Sequence, residues 1–247
     1  MDIFDLIIIA SAGLFAGFYG TVSGGAALLV IPLLIFVGLP IQMAIATNRF
    51  SSFGITTVGL YKYTKGKKVL YKLGFTLAIW ATLGSLVGAN IMLKMEEVHL
   101  QKIVAILLIL ISLLLIFKKD IGLKRIIQIP QQRKILGYIL SFLIGIYAGF
   151  FGAAWSTFFT YILIFCFGLT FLEGAGTRKI AAIILALATS ILFIIYGKVN
   201  FLYGGVLLIT QAIGSYFGAS FSLKKGEKFA KIIFIIVALV FGIKLLI

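Results

Sequence analysis

The chain has 247 residues, of which 62% are hydrophobic and only 12% charged. Soluble domains carry roughly a quarter charged residues, so this composition excludes water as the main solvent and points to a bilayer. The net charge of +15 does not imply nucleic acid, because Lys62, Lys65, Lys67, Lys68 and Lys72 fall in one short connector and Lys118, Lys119, Lys124, Arg125, Arg133 and Lys134 in another; such clusters place loops in the cytoplasm beside anionic headgroups.

In chain order, apolar segments come first over about 3–20, 25–38, 43–62, 69–93 and 99–118. The opening MDIFDL lacks the positive start of a signal peptide, so the first segment reads as retained. Ser23, Gly24 and Gly25 follow it. Adjacent glycines each cost a helix about 1 kcal/mol against alanine, so a break is expected there. Thr47, Asn48 and Arg49 open the third segment, after the turn at Gly38, Leu39 and Pro40. His99 stands with Glu96 and Glu97 in the charged turn 94–102. Residues 119–135, charged and containing Pro130, form a cytoplasmic basic linker.

Five further segments follow over about 137–152, 155–168, 175–196, 201–222 and 229–246. Trp155, Ser156 and Thr157 open the second of these, and Thr177, Arg178 and Lys179 the third. A span needs roughly 20 apolar residues, and apolar runs without strand-like alternation satisfy their backbone only as helices. The expected fold is an all-α polytopic membrane protein with 8–10 membrane segments.

The two sets of five segments resemble each other. Ala16, Gly17, Phe18, Tyr19 and Gly20 reappear as Ala148, Gly149, Phe150, Phe151 and Gly152. Gly38 and Leu39 reappear as Gly168 and Leu169, Lys68 and Val69 as Lys198 and Val199, and Gly84 and Gly88 as Gly214 and Gly218. The chain thus divides into a first membrane repeat over 1–118, the linker 119–135 and a second repeat over 136–247. Five crossings per half would invert the second repeat. A re-entrant pair with one net crossing would leave the halves parallel. Inversion gathers Lys224, Lys225 and Lys228 with the basic connectors, whereas the parallel form gains only Lys198 and Lys244 on that side, so the charge rule favours inversion.

The chemistry-bearing residues exclude most enzymes. His99 is the only histidine and Cys166 the only cysteine, so no multi-histidine metal site, no internal disulfide and no cofactor are expected. Six of the seven acids (Asp2, Asp5, Glu96, Glu97, Asp120 and Glu227) sit at termini or in connectors, leaving Glu173 alone near a segment entrance. Paired carboxylates for intramembrane acid–base work are lacking. Donors are present instead. Thr47, Asn48 and Arg49, and Thr177, Arg178 and Lys179, occupy matching places in the first turns of their segments, where helix N–H groups are unpaired and the dipole is positive. Such a terminus is an anion site. Two readings stand for Arg49, Arg178 and Lys179: interfacial anchors reaching headgroups, or charges of a functional site.

The glycine pairs Gly13/Gly17, Gly84/Gly88, Gly145/Gly149 and Gly214/Gly218 have the spacing of close helix packing. Ser23, Gly24 and Gly25 differ, because non-helical backbone at membrane depth must be buried or line a cavity. Broken helices meeting near the midplane at a repeat interface are a common transporter site. Ser156 and Thr157 are the counterpart in the second repeat.

The glycine-rich break and apolar run over residues 17–32, the Ala44, Ala46 and Thr47 motif, the basic connector and the duplication together resemble the TauE/SafE sulfite exporter family across nearly the whole chain. The resemblance implies a multi-pass permease of the plasma (cell inner) membrane that exports sulfite, an organosulfonate or a related small anion. It assigns the glycine motif to Ser23, Gly24 and Gly25 and the Ala-Thr motif to Ala46 and Thr47. The second copy departs from it, with Ala153, Ala154 and Trp155 where a glycine pair is expected. The expected function is alternating-access transport of a small sulfur-containing oxyanion, with a substrate site built from Ser23, Gly24, Gly25, Thr47, Asn48, Arg49, Trp155, Ser156, Thr157, Thr177, Arg178 and Lys179. The expected partners are the anion and the lipid bilayer, with a homodimer as the assembly allowed for. A passive anion channel and a non-transporting membrane scaffold are the alternatives.

Overall fold

The computed structural model describes residues 3–22, 24–100, 103, 125–126 and 128–244, with side chains up to residue 225. Ser23, the segment expected over 99–118 apart from residues 99, 100 and 103, and residues 119–124 of the linker lie outside the described residues. The described residues include the helices α1 (Ile3–Val22), α2 (Ala26–Phe36), α3 (Ile41–Lys65), α4 (Tyr71–Lys94), α5 (Gln131–Phe150), α6 (Trp155–Phe167), α7 (Phe171–Ile195) and α8 (Phe201–Lys244), and residues 97–100 are helical as well.

Helix boundaries follow local chemistry. Pro40 and Pro130 stand at the N-caps of α3 and α5, with the φ near −55° that proline fixes. A capping box of Thr170 and Glu173 starts α7 four residues earlier than the apolar pattern suggests. Gly168 closes α6 in the left-handed region, at φ 70. The sequence reading separates segments 201–222 and 229–246, whereas α8 runs on without interruption. Its charged stretch 224–228 contains lysines and a glutamate, which are good helix formers, and a single glycine. Polarity alone does not end a helix.

Helices α1, α4, α5, α7 and the first 25 residues of α8 are long and apolar enough to cross a membrane, while α2 and α6 are shorter. Large apolar side chains face outward, among them Ile79 and Leu83 of α4, Ile139 and Leu143 of α5, and Ile209 and Phe217 of α8. Serines, threonines and three cations are buried inside. That is the arrangement of a multi-pass membrane protein, in which lipid covers the apolar faces.

Contacts between helices fix their directions. Along α1 and α8 they advance together, from Gly13 against Thr210 to Gly218 against Phe18. The same holds for α3 and α8, from Thr47 bonded to Asn200 up to Gly66 against Leu223. Helices α4, α5 and α7 likewise share a direction, with Gly84 and Gly88 on the backbone of Phe142 and Ile146, and Gly74 against Ile180. Between α3 and α7 the order reverses: Ile55 meets Lys179, whereas Tyr63 meets Gly176. Thus α1, α3 and α8 run one way, and α4, α5 and α7 the other. Leu223 on Gly66 carries Lys224 and Lys225 to the end where the basic connector after α3 lies, and Arg125, paired with Glu173, joins them.

The glycine pairs singled out for packing do pack. Gly145 and Gly149 of α5 lie on the backbone of Ala81 and Ser85 in α4, and Gly214 and Gly218 of α8 on that of Leu14 and Phe18 in α1. Helices α1 and α2 form a hairpin: Gly20 abuts Ala26, and Gly25 abuts the Tyr19 ring. Because α1 starts level with the start of α8, and α2 leads back to Pro40 at the start of α3, this pair returns to the end it left. Helices α5 and α6 form a second hairpin from the opposite end. Their tips meet in the interior, where the Ser156 hydroxyl donates to the Gly24 carbonyl.

Candidate functional site

The two hairpin tips are places where helices stop inside the protein, and stopping leaves backbone groups without partners. At α1 the stop comes from Gly24, whose φ of +93 lies in the left-handed region open to glycine. At α6 the residue before the helix is Ala154, held at φ 57 despite its Cβ. Arg178 of α7 serves the first break. Its Nη2 donates to the carbonyls of Thr21 (3.0 Å) and Gly20 (3.3 Å), and its Nη1 to Ser156 O (2.9 Å) and Thr160 Oγ1 (2.8 Å). A guanidinium suits this place, because it presents a rigid fork of donors to the negative pole of a helix C-terminus. Arg49 of α3 serves the second break and donates from Nη2 to the Ala148 carbonyl in the last turn of α5.

Between the tips lies a cavity of about 60 Å³, lined by Gly24, Asn48, Arg49, Trp155, Ser156, Arg178 and Lys179 together with Ser52, Thr56 and Gln211. At about 10–15 Å³ for a water, it holds roughly four waters or one small ion. Arg49, Arg178 and Lys179 are each less than 5% exposed. No carboxylate meets them among the described residues; Glu173 is engaged with its own helix cap and with Arg125 at 3.5 Å. Burying an unpaired cation costs several kcal/mol. The cavity is therefore a place of positive potential in need of a counter-charge. Among the described residues, Arg49 Nε is buried with no hydrogen-bond partner.

The site residues expected from sequence divide into three groups. Gly24, Asn48, Arg49, Trp155, Ser156, Arg178 and Lys179 come together at the cavity. Gly25 and Thr157 flank it, the first against Tyr19 and the second against Gly24. Thr47 and Thr177 are elsewhere: their hydroxyls accept the amides of Asn200 and Leu70, both at 3.0 Å, and so pin the starts of α8 and α4. The dipole argument also moves. Arg49 and Arg178 lie in the third turns of α3 and α7, because these helices begin at Ile41 and Phe171. The helix N-termini that open on the cavity are those of α2, through Ala26 and Ala27, and α6, through Trp155 and Ser156.

Ser52, Thr56 and Gln211 were not singled out from the sequence. The first two continue the Arg49 face at i+3 and i+7, and Gln211 is a lone amide within the apolar run 201–222; both are readable signals of intramembrane polarity.

The pinning role of the threonines is testable. Thr47→Val and Thr177→Val each remove one hydrogen bond, worth about 1 kcal/mol, and are expected to lower the thermal midpoint of the purified protein by about 2–4 °C. Transport should persist in both variants. A normal midpoint with lost transport would return Thr47 to the cavity.

Comparison with known proteins places these features in context. The family model described as Sulfite exporter TauE/SafE matches residues 9–245. A probable membrane transporter protein of Haemophilus influenzae is 28% identical, with 92% of this chain and 89% of that protein covered. The probable membrane transporter protein YfcA of Escherichia coli K12 is 29% identical, over 94% of this chain and 86% of the relative. YdhB of Bacillus subtilis, also named a probable membrane transporter protein, is 25% identical over 88% of this chain and 89% of its own length. No solved structure matches at comparable significance.

Proposed function

Since the chain belongs to the sulfite exporter TauE/SafE family, a family of membrane transporters and not of enzymes, we propose that it moves a small sulfur-containing oxyanion, such as sulfite or an organosulfonate, across the plasma membrane by alternating access around the cavity. The observation that carries this reading is the cluster of Arg49, Arg178 and Lys179 at the meeting point of two broken helices, with no acid beside it and no partner for Arg49 Nε among the described residues. An oxyanion supplies both the missing charge and the missing acceptors. The N-termini of α2 and α6 add positive potential from two sides.

Alternating access needs two bundles able to move about the site, and the packing supports an inverted duplication over 1–118 and 136–247. Exchanging α1 with α5, α2 with α6, α3 with α7 and α4 with α8 turns each major packing pair into another. The α1–α8 pair becomes α5–α4, and α3–α8 becomes α7–α4. The α3–α7 pair maps onto itself, and the exchanged helices α1 and α5, α3 and α7, and α4 and α8 run in opposite directions. The gathering of Lys224 and Lys225 with the basic connectors agrees with a cytoplasmic location for that end.

The test is a flux screen in proteoliposomes across sulfite, thiosulfate, sulfoacetate, sulfate and chloride. The wild type is expected to pass a sulfur oxyanion with saturable counterflow, which a passive channel lacks. Arg49→Ala should lower that flux by about ten- to a hundredfold, the equivalent of one charge-assisted hydrogen bond. Unchanged flux in the folded variant would remove the cavity as the substrate site.

A further inference from the structure

The three buried cations are not equivalent, and the difference lies in what each can give up. Arginine keeps its proton in any protein setting, whereas a buried lysine exchanges its proton readily. Arg49 and Arg178 are therefore fixed charges. Lys179 Nζ has two partners among the described residues, Ile55 O at 3.2 Å and Thr21 Oγ1 at 3.4 Å. Those two acceptors suit the two N–H bonds of a neutral amine. An ammonium has a third, and Lys179 lines the cavity that would receive it.

The surroundings act in one direction. Arg178 is its neighbour on α7, and Arg49 lies on α3 at the same cavity. Tyr63 of α3 and Tyr19 of α1 stand near Arg178. Among the described residues, helix α8 contributes the neutral Gln211 and Ser215, α2 the alanines Ala26 and Ala27, and α6 Trp155 and Ser156. An empty cavity thus sets the amine, with two acceptors for its N–H bonds, beside two permanent cations. An anion entering the same cavity reverses the balance.

Building on the oxyanion reading, we propose that Lys179 is the proton site of the carrier. It is neutral when the cavity is empty and takes a proton from water on one side as the anion enters. It returns that proton on the other side as the anion leaves, so the anion crosses in company with a proton. The step makes and breaks one N–H bond and needs no other reactant.

The experiment is calorimetric titration of the full chain in lipid nanodiscs with sulfite, thiosulfate and sulfoacetate, near neutral pH, in two buffers of different ionisation enthalpy. Thiosulfate and sulfoacetate keep their charge there, so any buffer-dependent heat reports protons taken up by the protein. The wild type is expected to take up about one proton per anion bound. Lys179→Arg, with a fixed charge, should bind the anion with that uptake lost, and its binding should no longer weaken as pH rises. Anion binding without buffer dependence in the wild type would overturn the proton site while leaving the anion site standing, whether or not the variant folds. Absence of binding by all three anions would overturn the oxyanion reading itself.

Discussion

Replacing Arg178 with methionine is expected to stop transport and to lower the thermal midpoint by about 5–10 °C, on the order of 3 kcal/mol. The side chain makes four hydrogen bonds, and three of its acceptors are backbone carbonyls at interrupted helices: Gly20 and Thr21 in α1, and Ser156 in α6. Methionine fills similar space but removes the guanidinium donors; Ser156 O keeps the Thr160 hydroxyl at 2.8 Å and Thr21 O a long contact to the Tyr63 hydroxyl at 3.5 Å, so the loss falls mainly on the last carbonyls of α1. Arg178→Lys separates charge from geometry. A point-like ammonium keeps one charged donor but cannot reach both hairpins at once, so this variant should fold closer to the wild type than the methionine variant yet carry substrate at least about tenfold more slowly than the wild type. Wild-type flux in Arg178→Lys would mean that positive charge alone is required there. Arg49→Ala should behave differently, with a smaller loss of stability and a loss of apparent affinity, because its Nε has no partner among the described residues.

The second large effect is on stability alone. Gly149→Ala places a methyl group on the Ser85 backbone carbonyl, and Gly88→Ala places one on that of Ile146. Neither neighbour is a flexible side-chain end, so α4 and α5 must separate. Overpacking of this kind costs about 1–3 kcal/mol, and a midpoint lowered by about 3–10 °C is expected for each variant in detergent. Gly205→Ala is the internal control. It lies in α8 with nothing within 4 Å of an added Cβ, and alanine favours a helix there, so its midpoint should hold or rise slightly. Equal losses at Gly149 and Gly205 would show that glycine flexibility, rather than close approach, is what these positions supply.

Much of this architecture can be read from the sequence because the membrane simplifies the code. Apolar length marks the spans, and small residues four apart mark where backbones touch, as Gly84/Gly88 and Gly145/Gly149 do. The cations could be found for the same reason, since an arginine or lysine within an apolar segment has few bland explanations. Partnership was harder to read. Nothing local distinguishes Thr47, whose hydroxyl holds the Asn200 amide, from Asn48 one residue later, which lines the cavity. Adjacent helical residues differ by about 100° in direction, and a misplaced helix start rotates that assignment. The start of α7 was misplaced because Thr170 and Glu173 act as a cap, a signal of spacing rather than of hydropathy. Gln211 escaped notice because a single amide barely changes the character of a long apolar run.

The way the two breaks are closed bears on how the chain is assembled. The last carbonyls of α1 wait for Arg178, 158 residues downstream of Gly20. At ribosomal speeds of about 5–20 residues per second, α1 and α2 spend on the order of ten seconds in the membrane before α7 exists to complete them. During that interval the exposed tip needs lipid headgroups, water or an insertion factor as a temporary partner. The α5 tip faces no such delay, because Arg49 is already in place when Ala148 is made. The biogenesis of the protein is therefore asymmetric in time, and the first hairpin is the part most exposed to misassembly.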